Sequence, residues 1–108
     1  MFENKPPIRS TQEDLSELAE DIDRFVISLA ERVDAIQDAE LVSHCSEVAR
    51  LARQLGTDAD RLGYPGMAQC AKGVAGAAED AKTDTLQDAI VELTDIAQRI
   101  RRGHRGAA

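Results

Sequence analysis

The chain has 108 residues, enough for one domain with a single hydrophobic core. Hydrophobic residues make up 43% of the composition but aromatic residues only 3%, so the core must consist of Leu, Ile, Val and Ala, which favours packed helices over a β-sandwich. A formal net charge of −7 argues against nucleic-acid binding, because contacts to phosphates need clustered Lys and Arg side chains.

The first predicted helix follows a short N-terminal segment. Residues 1–9 are expected to form a flexible arm, because Pro6 and Pro7 oppose regular structure. Ser10 and Glu13 match a capping box, from which the helix is predicted to run to about Gln37. Its apolar residues recur at spacings of three and four, and they are Leu15, Leu18, Ile22, Phe25, Leu29, Val33 and Ile36.

The second predicted helix has the most regular apolar pattern of the chain. Asp38 is its candidate cap, and Gly63 is expected to end it. The apolar stripe alternates spacings of four and three, and its members are Leu41, Cys45, Val48, Ala52, Leu55, Ala59 and Leu62.

A third helix is predicted to start near Pro65 or Gly66, since proline suits the first turn of a helix. Its stripe consists of Met67, Cys70, Val74, Ala77 and Ala81. Gly73 and Gly76 lie within this helix and, with the surrounding alanines, make it thin enough for neighbours to approach closely.

The fourth predicted helix opens with a capping-box-like pair, Asp84 and Gln87, and ends at Gly103. Its stripe consists of Leu86, Ile90, Leu93, Ala97 and Ile100. The basic tail, residues 104–108, follows the arginines that complement the dipole at the end of this helix. An arm for an anionic partner is the alternative interpretation of the tail.

Four amphipathic helices with short connections predict an all-α domain over residues 10–103, an antiparallel up-down-up-down four-helix bundle. No segment approaches the ~20 apolar residues of a membrane span, and the N-terminus lacks a signal pattern, so we expect a cytoplasmic protein. Cys45 and Cys70 are then expected to be reduced and to pack as small apolar residues. The spacing of Cys and His residues predicts neither a metal site nor a cofactor.

The sequence contains no common enzyme motif, and its many carboxylates are scattered as a solvated exterior would be. His44 is predicted at the edge of the buried stripe, where it would be a packed or hydrogen-bonded residue. The alternative is that His44 accepts a proton or a phosphoryl group. His104 falls in the predicted mobile tail, so no role is expected for it.

The segment "ARQLGTDADRLG", Ala52 to Gly63, resembles the signature of histidine-containing phosphotransfer (HPt) domains, roughly A-H-x-L-K-G-x-A-x-x-L-G. The flanking segments "DRFVISLAERVDAI" and "LGYPGMAQCAKGVAGAAEDAKTDTLQDAIVEL" also resemble the helices around that site, so the resemblance covers most of the chain. The matching residues are Ala52, Leu55, Ala59, Leu62 and Gly63.

Three positions depart from this signature. Arg53 falls on the phosphoacceptor histidine, Gly56 on the lysine and Thr57 on the glycine. A guanidinium has no lone pair for attack on phosphorus, so Arg53 cannot accept a phosphoryl group. Rescue by His44 would need another docking face, since nine residues of helix turn it about 180° from Arg53.

The resemblance therefore implies a signalling module that binds a response-regulator receiver domain or a histidine kinase without transferring phosphate. We expect the partner-binding residues to be Arg53, Gly56, Thr57 and Asp60, with the small residues leaving a shallow recess beside the guanidinium. Arg53 would suit the acidic pocket of a receiver. The alternatives are active phosphotransfer through His44 and a helical oligomerisation protein, a homodimer whose third helix packs against a second subunit.

Overall fold

The computed structural model describes residues 6–104, and over this range the chain is helical without a strand. A short 3₁₀ turn, Ser16–Leu18, precedes four helices. These are α1 (Ala19–Leu41), α2 (Cys45–Arg61), α3 (Pro65–Glu79) and α4 (Thr83–Gly103). The predicted all-α four-helix bundle is confirmed. No helix in the described range is long and apolar enough to cross a bilayer.

Each helix packs on the next along the chain, and α1 also packs on α4 and closes the ring. Three-residue connections hold these neighbours together at residues 42–44, 62–64 and 80–82. Between α1 and α4, Gln37 bonds to Thr94 and Asp23 contacts His104, so later positions on one helix meet earlier positions on the other. An antiparallel pair requires this order.

The core is aliphatic and draws on all four helices. Burial of each large apolar side chain stabilises the fold by roughly 1.5–3 kcal/mol. The Tyr64 ring stacks on Phe25 with 5.7 Å between centroids, which ties the α2–α3 connection to α1. The side chains with no accessible surface include Leu29, Ile36, Leu55, Leu93 and Ile100.

The predicted start of the first helix at Ser10 is wrong. The Ser10 hydroxyl donates a hydrogen bond to the Leu62 carbonyl oxygen and accepts one from the Gln12 backbone N–H, so it caps no helix. The intervening residues form turns, Leu15 is 41% exposed, and α1 begins only at Ala19. A local capping pattern is overridden here by a contact 52 residues away.

The boundary between the first two helices also lies later than predicted. Asp38 is inside α1, which continues to Leu41, and Leu41 is 77% exposed rather than part of the second stripe. Ser43 adopts a left-handed backbone with φ of 59°, and α2 starts at Cys45. From Cys45 to Leu62 the predicted stripe is confirmed, with only Cys45 partly exposed.

Four further helix ends were predicted, and the end of α4 at Gly103 is confirmed. Gly63 follows α2 with φ of 88°, as a left-handed terminator should, and Pro65 opens α3. Ala81 is not on the stripe of α3, because α3 ends at Glu79 and Ala81 forms the turn with φ of 55°. Asp84 is not a cap, because α4 already starts at Thr83.

The predicted N-terminal arm, over residues 6–9, is irregular and contacts α4. The Ile8 N–H donates to the Arg99 carbonyl oxygen at 3.0 Å, and Arg99 Nε donates to the Pro6 carbonyl oxygen at 3.0 Å. Residues 1–5 of that arm and residues 105–108 of the predicted basic tail lie outside the described range.

Candidate functional site

Arg53 lies on the outer face of α2, one position after Ala52, which is fully buried. Its side chain is 54% exposed. The regular stripe of α2 places position 53 next to the core but outside it, so the stem can pack while the guanidinium reaches solvent. The sequence predicted this placement.

The guanidinium of Arg53 forms a two-pronged ion pair with Glu79 at the end of α3. Arg53 Nε donates to Glu79 Oε2 at 3.2 Å, and Nη2 donates to Oε1. Both side chains are about half exposed, so the pair stabilises the fold by only about 0–1 kcal/mol. Three N–H donors, two on Nη1 and one on Nη2, remain for another acceptor.

Glu79 was not anticipated from the sequence. It lies 26 residues from Arg53, and only the packing of α3 on α2 brings the two together. No local spacing rule reports a pair between different helices.

Gly56 is buried in the α2–α3 interface and does not line a surface recess. A Cβ added to Gly56 would lie 3.4 Å from both the Ala68 carbonyl oxygen and the Ala71 Cβ. The expectation that Gly56 faces a partner is therefore wrong, since α3 already covers it. The stem of Lys72 also approaches this position, with its Cγ 3.8 Å from the added Cβ.

Thr57 and Asp60 share the exposed face of Arg53, because residues at i, i+4 and i+7 lie on one side of a helix. The Thr57 hydroxyl donates to the Arg53 carbonyl oxygen at 3.0 Å. This bond turns the polar end of Thr57 back towards the helix backbone. We call Arg53, Thr57 and Asp60 the Arg53 surface.

His44 is exposed in the connection between α1 and α2, so its predicted place at the edge of the buried stripe is wrong. Its backbone N–H donates to Ala39, and its carbonyl oxygen accepts from Val48. Because His44 precedes α2, the angular separation from Arg53 expected within one helix does not apply. The imidazole is not part of the Arg53 surface.

The second histidine is held in place, contrary to its predicted position in a mobile tail. His104 Nε2 lies 2.6 Å from Asp23 Oδ1 of α1, and the His104 side chain is only 15% exposed. This contact joins the end of α4 to the start of α1. The partner is 81 residues away, and the tail composition carried no signal for it.

The two cysteines are free thiols. Cys70 is buried, with Sγ 3.6 Å from the Ala89 carbonyl oxygen, whereas Cys45 is partly exposed. Burial, with a smaller effect of Glu92, raises the pKa of the Cys70 thiol to about 12, which keeps it protonated and unreactive at neutral pH. Within residues 6–104, no three His, Cys, Asp or Glu side chains are grouped as a metal site would need.

The chain was compared with known proteins on three levels. It matches no protein-family model, no curated protein and no solved structure.

Proposed function

We propose that this protein is an HPt-like module of two-component signalling in the cytoplasm, which binds receiver or histidine-kinase domains and transfers no phosphoryl group. The supporting observation is the exposed guanidinium of Arg53 on the outer face of α2. In the HPt resemblance, this position belongs to the acceptor imidazole. The four-helix bundle is compatible with the resemblance but does not by itself define a function.

The chemistry at position 53 excludes transfer through that residue. A phosphoacceptor must present a lone pair to phosphorus, and the guanidinium is a set of donors with a positive charge at any physiological pH. The same properties suit recognition of carboxylates or of a phosphoaspartate, which a guanidinium binds through paired hydrogen bonds. The residue that abolishes transfer thus favours binding to an acidic pocket.

Glu79 limits how strongly Arg53 can bind an acidic partner. It occupies the Nε–Nη2 edge of Arg53 and neutralises its charge, while the Nη1–Nη2 edge of this half-exposed side chain donates to no residue within 6–104. An acidic partner therefore meets repulsion from Glu79 as it approaches. Removal of this carboxylate by Glu79→Gln should strengthen binding, and the gain should shrink as salt screens the charges.

The test is a titration of the wild-type protein against the receiver domains encoded in the same genome. We expect at least one receiver to bind, and Arg53→Glu to weaken that binding at least tenfold. Arg50→Glu is the matched control, because Arg50 is an exposed arginine of α2 that pairs with Glu47. Equal affinities of wild type and Arg53→Glu for every receiver would disprove the proposal.

Active phosphotransfer through His44 is the first alternative, and the exposure of this imidazole favours it. Incubation with phosphorylated receivers and intact-mass measurement distinguishes the two functions. The binding proposal predicts no phosphorylated protein. Acid-labile phosphate that disappears in His44→Gln would establish the alternative instead.

Self-association is the second alternative, and the outward glycines of α3 favour it. A Cβ added to Gly66, Gly73 or Gly76 would meet nothing within 4 Å, so this side of α3 is not used by the bundle. The opposite, alanine-rich side packs inward. Sedimentation over a range of concentrations would show a dimer, and Gly73→Gln should weaken it if this side forms the interface.

A further inference from the structure

The face of the bundle that α1 and α4 form together carries exposed apolar side chains. Ile27 and Leu41 of α1 are 67% and 77% exposed, and Val91 of α4 is 69% exposed. Ile27 and Leu41 are two heptads apart, which is about four helical turns, so both project from the same side of α1. Of the five large apolar side chains that are exposed within residues 6–104, these three lie on one face.

The packing of α4 on α1 brings Leu41 and Val91 to the same end of this face. Gln37 Nε2 donates to Thr94 Oγ1 at 3.1 Å between the two helices. Leu41 follows Gln37 by about one turn, and Val91 precedes Thr94 by about one turn. Because later positions on α1 meet earlier positions on α4, both turns lie on the same side of this hydrogen bond. Leu41 and Val91 therefore form one apolar patch.

The same face carries charged groups of both signs. Asp34 lies midway between Ile27 and Leu41 on α1, and Asp34 and Arg101 both line a shallow groove of about 140 Å³ between α1 and α4. Neither of these two side chains makes an ion pair or a hydrogen bond within residues 6–104. A face that carries an unpaired acid and an unpaired base is complementary to a second copy of itself, because a two-fold axis brings each group to the other.

The face is also large enough for a stable dimer. α1 has 23 residues and α4 has 21, so the face is about 30–35 Å long, and two neighbouring helices make it about 20 Å wide. The area is about 600–700 Å² on each copy. Specific interfaces bury roughly 1,200–2,000 Å² in total, and two such faces reach the lower part of that range.

We propose that a second copy of this chain packs on the α1–α4 face, with a two-fold axis along the groove between these helices. This axis sets α1 of each copy on α4 of the other. Leu41 of one copy then packs on Val91 of the other, and Arg101 of one copy reaches Asp34 of the other.

The proposed contact leaves the opposite side of the bundle free. The four helices pack in a ring, so α2 and α3, which carry Arg53 and Glu79, lie away from the α1–α4 face. Each dimer therefore presents the Arg53 surface twice. The proposal does not depend on the HPt resemblance, and its interface is distinct from the outward glycines of α3.

The test is sedimentation equilibrium of the full chain from about 1 μM to 1 mM, in about 0.15 M salt to screen the net charge of −7 on each copy. We expect a monomer–dimer equilibrium. Leu41→Ser/Val91→Ser should raise the dimer dissociation constant at least tenfold. Both side chains are exposed, so the melting temperature of this variant, followed by circular dichroism, should stay close to that of the wild type.

Two further variants locate the interface. Arg101→Glu should weaken the dimer, and Asp34→Arg/Arg101→Glu should restore it, because the exchanged charges again meet across the two-fold axis. Gly73→Gln is the control for association through α3 and should leave the dissociation constant unchanged. The proposal is overturned by a wild-type chain that stays monomeric, by a Leu41→Ser/Val91→Ser variant that dimerises like the wild type, or by a dimer that Gly73→Gln disrupts.

Discussion

The α2–α3 pair and the N-terminal end of the bundle are held together in different ways. Between α2 and α3, the helices approach closely over small residues such as Gly56 and Ala71, in a pattern that repeats along the interface. At the N-terminal end, single contacts such as Ser10 to the Leu62 carbonyl and Ile8 to Arg99 fix an irregular segment. A periodic interface distributes its stability over many side chains, whereas the irregular end depends on a few atoms.

This difference predicts where one substitution is most damaging. A Cβ at Gly63 would lie 2.5 Å from the Ser10 Oγ, and its φ of 88° disfavours other residues. We expect Gly63→Ala to lower the free energy of unfolding by about 2–4 kcal/mol, from strain and overpacking combined. Urea denaturation measures this loss. The control Gly73→Ala, in open space, should instead stabilise α3 by about 0.5–1 kcal/mol.

If Gly63→Ala proved no more harmful than Gly73→Ala, the end of the bundle would not depend on that close approach. The comparison between the two regions would then be wrong at its strongest point.

Alkaline pH should destabilise the fold through two buried groups, one in each region. The ordinary pKa values are 9.0 for the Cys70 thiol and 10.0 for the Tyr64 phenol, and burial raises both to about 12. The unfolded chain therefore loses these protons first, so the stability is complete below pH 9 and declines as the pH rises towards 12. We expect a loss of about 2 kcal/mol by pH 10, most of it from the Cys70 thiol.

Thermal unfolding at pH 7, 9, 10 and 11 measures this decline. Cys70→Ala should flatten the profile between pH 9 and 10, and Tyr64→Phe should flatten it above pH 10. Profiles parallel to that of the wild type would mean that neither group retains its proton on folding.

The two histidines allow a matched test of the end of α4. His104→Ala removes the contact with Asp23 and should cost about 1 kcal/mol of stability. His44→Ala alters an exposed side chain and should change stability by less than about 0.5 kcal/mol. Chemical denaturation at pH 7 measures the free energy of unfolding of both variants. Equal losses would contradict a stabilising contact between His104 and Asp23.

Only a small effect on stability is expected at Arg53. Arg53→Ala and Glu79→Ala break a half-exposed ion pair and should each change the free energy of unfolding by no more than about 1 kcal/mol. The double variant Arg53→Ala/Glu79→Ala gives the coupling free energy between the two side chains. A loss of several kcal/mol in the free energy of unfolding would mean that Arg53 mainly stabilises the fold and is not a binding residue.

The same difference explains how far the sequence predicts the structure. The stripe from Cys45 to Leu62 is periodic, so both α2 and the outward placement of Arg53 followed from spacing alone. The start of α1 did not, because Ser10 and Glu13 satisfy a local capping pattern while Ser10 bonds to Leu62. Local rules carry no information about partners that only tertiary packing supplies.

The candidate sites show the same limit. Position 53 was identified from the resemblance, but Glu79, the residue that neutralises it, comes from another helix. Gly56 was expected at the surface because it is small, and it is small where α3 packs against it. His104 contacts Asp23 across 81 residues, and no segment of the sequence places these two side chains together.

The most direct test of the central claim exchanges the charges of the ion pair. The double variant Arg53→Glu/Glu79→Arg keeps an ion pair between α2 and α3 but places a carboxylate at position 53. We predict a melting temperature close to that of the wild type and at least tenfold weaker binding to the receiver that the wild type recognises. Binding of the exchanged protein as tight as that of the wild type would contradict the assignment of Arg53 as the contact residue.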